Sequence, residues 1–175
     1  SMKKHLFSLM VAGALTACGN TPPAPDWQMN AKASAERATQ AWLTGDQRVE
    51  AAEFARARRE VVSTGQPALL ARVELLRCAG RVAALDVGPC AGFDALATDA
   101  APADQAYARY LAGRSTTADA TLLPEVHRPF AAGSASPDAA LAAITDPLSR
   151  LVAAGVLFQR SQATPGVIAQ AVDTA

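Results

Sequence analysis

Few of the 175 residues in this chain are of types that carry chemistry. There are three cysteines, Cys18, Cys78 and Cys90, and two histidines, of which His127 lies in the run PEVHRPF. Glu125, His127 and Arg128 on one loop could serve acid–base work, with the imidazole carrying the proton. The simpler reading is a partly exposed loop histidine beside a salt bridge, and that is our expectation. Cys78 and Cys90 stand roughly a dozen residues apart with no histidine close by, which is not the ligand spacing of a zinc site. No Ser-His-Asp order, G-x-S-x-G elbow, phosphate-cradling loop or H-E-x-x-H stretch occurs, and the carboxylates are scattered singly. We expect no catalytic residue, no metal and no cofactor.

The remaining cysteine sits in a different context. Ser1 precedes an initiator-like Met2 and reads as a cloning scar. Lys3 and Lys4 then form a positive start, and Leu6 to Ala14 form a short apolar run. That run falls well short of the about 20 apolar residues a spanning helix needs, and its layout is that of a secretory signal peptide. Its end, Leu15-Thr16-Ala17-Cys18-Gly19, resembles the lipobox of bacterial lipoproteins: leucine three before the cysteine, small residues between, then the lipidated cysteine. The resemblance implies cleavage before Cys18 and diacylglycerol and acyl chains on that residue. Several acyl chains anchor a protein stably where one is marginal. In Gram-negative lipoproteins an Asp after the cysteine favours retention at the inner membrane; Gly19 therefore points to the outer membrane.

With Cys18 spent on lipid, Cys78 and Cys90 are an even pair in a compartment that permits disulfides. We expect them to be bridged, pinning the turn between the two halves of the chain.

The elements that must position these residues read as helices. Half the residues are hydrophobic but only 5% are aromatic. Alanine, the best helix former, supplies nearly half of the apolar content, and β-branched runs are missing. Residues 19–26, GNTPPAPD, are a proline-rich tether. Helical spacing then predicts a first helix from Trp27 or Asn30 to Leu43 (Ala31, Ala35, Ala38, Trp42). A second is expected from Asp46 to Ser63 (Ala51, Phe54, Ala55, Val61, Val62), its stripe interrupted by Arg58. A third runs from Gln66-Pro67 to about Leu85 (Leu69, Leu70, Val73, Leu76, Gly80).

Shorter helices follow: one from Pro102 to Gly113, a broken segment over Leu122–Ala132, and others opened by Ser136-Pro137, Asp146-Pro147 and Thr164-Pro165. Ser, Asp or Thr before Pro reads as an N-cap with a first-turn proline. The last stripe (Val167, Ile168, Ala171, Val172) is still in phase at Ala175, so we expect the native chain to continue. Trp42, Gly45, Ala51 and the stretch Ala52–Arg58, about 35 residues with their surroundings, resemble a tetratricopeptide-type hairpin. The expected fold is all-α, an irregular array of antiparallel αα-hairpins with about six to eight helices.

The expected organisation is a signal peptide over 1–17, lipidated cysteine and tether over 18–26, and one periplasmic domain over 27–175. Zero formal net charge argues against nucleic acid as a partner. The dense run Ala55–Glu60 places Arg56 and Arg59 on one side of a helix, a solvated face or a protein-binding one. From Asn30 to Arg81 there are nine basic and six acidic residues, and from Val82 to Pro147 three basic and eight acidic. Such opposite charge fits internal attraction between the halves or a dipolar docking surface.

These features point to a lipoprotein held to the outer membrane through Cys18, acting as a non-catalytic adaptor or assembly factor for envelope proteins. Two other functions remain open. One is a hydrolase-type accessory enzyme built on His127 and dispersed carboxylates. The other is a small-ligand carrier with a pocket of Phe93, Tyr107, Tyr110 and Phe130.

Overall fold

The computed structural model describes residues 21–175. Cys18 and the expected leader lie outside the described residues. Apart from an isolated bridge between Ala131 and Gly133, every regular element is helical. The α-helices are α1 (Asp26–Leu43), α2 (Gln47–Val62), α3 (Pro67–Ala83), α4 (Ala91–Asp94), α5 (Pro102–Leu111), α6 (Pro137–Ala142), α7 (Pro147–Gln159) and α8 (Pro165–Thr174). Two 3₁₀ segments, Thr117–Leu122 and Glu125–Phe130, join α5 to α6. With these two and the four-residue α4, the described residues hold 10 helical elements, more than the spacing predicted.

Proline opens α3, α5, α6, α7 and α8, where a missing N–H costs nothing. The side chains of Asp46, Asp146 and Thr164 accept from Val49 N, Ser149 N and Val167 N, capping α2, α7 and α8. Ser136 occupies the same position before Pro137 but makes no such bond, so the expected cap is absent from α6. The first 3₁₀ segment is opened instead by a capping box between Thr116 and Asp119. Arg109 grips the Asp119 carboxylate and, helped by the Thr116 N–H, holds its pKa down to about 2.

The Thr44-Gly45-Asp46 turn folds α2 back along α1, with Gly45 at φ +81° where a side chain would be strained. Arg37 of α1 reaches Glu53 of α2 at 2.9 Å. Small side chains let the helices approach closely: Ala31, Ala38, Phe54, Ala57, Val61 and Val73 form one core, edged by Trp27, Leu69 and Leu70.

A larger core gathers Ala71, Leu75 and Val82 of α3 with Tyr110, Phe130, Leu141, Val156 and Val167. Helix α3 thus serves both cores. It meets α7 at Gly155, where a Cβ would collide with the Val82 carbonyl oxygen. Two predicted stripes hold in part: Phe54 and Val61 of α2 and Val73 and Gly80 of α3 are buried as expected. Ala51 and Val62 of α2 are exposed, and the buried row is Glu50, Phe54, Ala57 and Val61. Leu76 of α3 is exposed while Leu75 is buried.

No helix among the described residues is long and apolar enough to cross a membrane.

Candidate functional site

Cys78 lies on the inner side of α3, and Cys90 precedes α4 after the Val87-Gly88-Pro89 stretch. Their Cα atoms are 5.7 Å apart, inside the range a disulfide spans. Beside them opens a cleft of about 470 Å³, walled by Phe54, Arg58, Arg77, Arg81, Asp86 and Phe93 among others. Two of these arginines are already engaged. Arg58 pairs with Glu74, and Arg77 makes two hydrogen bonds to Glu50, at 2.6 and 2.9 Å.

Arg56 and Arg59 are both exposed on α2, as a solvated face requires. Arg56 bonds Glu53 at 3.0 Å. Arg37 binds the same Glu53 carboxylate and holds it below the usual carboxylate range. Arg59 has no ion pair among the described residues and borders a shallow depression with Ala55 and Val62. The arginines that shape a cleft are therefore Arg58, Arg77 and Arg81, which the charge-run reading passed over. Their signal in the sequence is faint: Arg58 interrupts an apolar stripe, and Arg77 and Arg81 are one turn apart on the next helix.

Most ion pairs form within a half and so leave its excess charge in place. Arg37, Arg56, Arg58 and Arg77 pair with Glu53, Glu74 and Glu50, and Arg109 pairs with Asp119. Arg72 to Asp104, at 3.2 Å, is the one ion pair between the halves among the described residues.

His127 is not an exposed loop residue. It is 3% exposed, within the second 3₁₀ segment, and its Nδ1 lies 3.0 Å from the Tyr110 hydroxyl. Burial penalises the imidazolium and pushes its pKa down to about 4, against a weaker upward pull from Asp146. The Tyr110 phenol is pushed up, again by burial. Glu125 faces solvent, and Arg128 donates to the Leu123 carbonyl, so the Glu125–His127–Arg128 cluster does not assemble. A neutral imidazole sealed under tyrosines is a packing group without access to substrate. The four residues expected to line a carrier pocket do not gather around one of the described clefts, and only Phe93 borders the cleft beside Cys78 and Cys90. Phe93, Tyr110 and Phe130 are buried in the larger core and Tyr107 packs at its edge.

A second cleft, of about 310 Å³, lies between the end of α3, α7 and α8. Its walls are almost wholly apolar. Leu85, Phe158, Ile168 and Val172 surround it, 52%, 52%, 53% and 71% exposed. Of the apolar stripe predicted for the last helix, only Val167 is buried; Ile168 and Val172, one turn apart, point outward. Leu85 occupies a left-handed position (φ 59°) that ends α3, where Asp86 N–H returns to the Arg81 carbonyl at 2.9 Å. Glycine is the favoured residue there, and a leucine is strained.

Among the described residues no three His, Cys, Asp or Glu side chains converge as metal ligands. No protein-family model, curated protein or solved structure matches the chain.

Proposed function

We propose that this chain is a lipoprotein anchored through Cys18 to the outer membrane. There it works in the periplasm as a non-catalytic adaptor or assembly factor of an envelope complex. Its partner is gripped in the apolar cleft of α3, α7 and α8. The observation that carries this reading is the clustering of Leu85, Phe158, Ile168 and Val172 around one cleft. Single exposed apolar residues need no explanation, but a contiguous group marks an interaction site.

The occupant we infer is an amphipathic helix of another protein, laying apolar anchors between Phe158 and the Ile168–Val172 row. A cleft of about 310 Å³ suits a few anchor side chains, not the broad flat surface of an obligate dimer. Its position also favours protein over lipid. Trp27, at the start of α1, packs against the same small core as Leu69 and Leu70 at the start of α3, whereas Ala83 and Leu85 line the cleft at the other end. Helix α3 separates them by roughly 20 Å at 1.5 Å per residue. A tether leading to Cys18 therefore leaves the molecule far from the cleft.

Pull-down from detergent-solubilised envelopes tests this reading. The wild-type chain should recover a stoichiometric partner, and Val172→Glu, a change at a solvent-facing position, should lose it while folding normally. Cys18→Ala should release the protein from membranes and keep the partner. Equal recovery by Val172→Glu, or no stoichiometric partner at all, overturns it.

A further inference from the structure

The cleft beside Cys78 and Cys90 is distinct from the apolar one, and its charges do not all cancel locally. Arg58 is matched by Glu74 and Arg77 by Glu50. Arg81, one turn beyond Arg77, has no ion pair among the described residues, and its buried Nε has no protein acceptor. The guanidinium is held over the Trp42 ring, 5.5 Å from the centroid, so its position is fixed by packing rather than by a carboxylate. Asp86, exposed at the border of the same cleft, also lacks an ion pair among the described residues. It lies more than an ion-pair distance from Arg81 although only five residues follow Arg81 to reach it. One open cation and one open anion thus face a shared space. Phe54 and Phe93 supply an apolar wall to it.

A bare anion would meet Arg81 but be repelled by Asp86, and a bare cation would meet the reverse. A molecule carrying both charges meets both groups, its carboxylate taken up by the terminal N–H groups of the Arg81 guanidinium, which have no ion pair among the described residues. The volume, about 470 Å³, is in the range of small-molecule sites. We propose that this cleft binds a free α-amino acid with an apolar side chain. The carboxylate rests on Arg81, the ammonium on Asp86, and the side chain against Phe54 and Phe93. The site stands independently of the adaptor reading, since neither Arg81 nor Asp86 lines the α7–α8 cleft.

The test is calorimetric titration of the full chain in detergent with L-phenylalanine, N-acetyl-phenylalanine and phenylalanine amide. L-phenylalanine should bind saturably, and each blocked form should bind about tenfold more weakly, since each loses one charged contact. Arg81→Gln should abolish the preference over the amide, and Asp86→Asn the preference over the N-acetyl form. Unchanged thermal melting of both variants would show that the fold survives. No saturable binding of L-phenylalanine overturns the proposal. So does equal binding of the three compounds, or discrimination that persists in both variants.

Discussion

Arg77 of α3 reaches back to Glu50 of α2 and holds its carboxylate with two hydrogen bonds, while its guanidinium lies 4.2 Å above the Phe54 ring. Glu50 is only 5% exposed, so the pair is a charged joint set inside the smaller helical core. The joint fixes how α2 and α3 lie against each other. It thereby fixes the wall of the cleft that Phe54, Arg77 and Arg81 share.

Removing Arg77 would leave the Glu50 charge buried without its partner. Arg77→Ala should therefore lower unfolding free energy by about 3 kcal/mol, read from urea denaturation midpoints. Replacing both residues by leucine should cost clearly less than the sum of the two single changes. Strict additivity would show that the pair is not coupled.

At Leu85 stability and binding should move in opposite directions. Leu85→Gly relieves the left-handed strain and should raise stability by about 1 kcal/mol. It also deletes an apolar rim of the α7–α8 cleft, so capture of the partner should weaken. A variant that is destabilised, or that binds the partner unchanged, would remove Leu85 from the proposed interface.

His127 gives a pH dependence of definite sign. In the folded chain it takes up a proton only near about 4, whereas the ordinary value is 6.5. Between those values the unfolded chain binds a proton that the native one does not. Stability should thus be full above about pH 6.5 and fall as pH drops toward 4, by about 3 kcal/mol in all. Denaturation midpoints at about pH 7 and about pH 4.5 should converge in His127→Gln, which keeps a polar partner for Tyr110 but does not titrate. An undiminished difference would place the acid sensitivity elsewhere.

Cys78 and Cys90 are within bridging distance, and intact mass before and after reduction should differ by two hydrogens. Replacing both by serine should cost about 3 kcal/mol, from the chain entropy that the closed loop removes from the unfolded state. No mass change on reduction would leave them as two free thiols.

Much of the helical order is legible in the chain because proline and glycine punctuate it. Pro67, Pro102, Pro137, Pro147 and Pro165 each open a helix, and Gly45 closes the first turn. The shortest piece is not legible. Helix α4 spans four residues, too few for a 3.6-residue period to register.

The candidate sites were hidden for a different reason. Glu50 looks like a surface residue until Arg77, 27 positions away, is placed beside it. His127 sits between Pro124 and Pro129, flanked by Val126 and Arg128, and only the fold brings Tyr110 over it. In α8, Val167, Ile168 and Val172 share one apolar pattern, and periodicity cannot tell a side chain buried in the core from one facing a cleft.

The claim that this protein holds a partner in its α7–α8 cleft is tested most directly by site-specific photocrosslinking in intact envelopes. A photoreactive side chain would stand at Phe158 or Ile168, with a control at the exposed Glu36 of α1. The expected result is one crosslinked envelope protein, attached through an apolar position of a helix, from Phe158 and Ile168 and not from Glu36. Crosslinks to lipid, to a second copy of the chain, or equally from all three positions would contradict it.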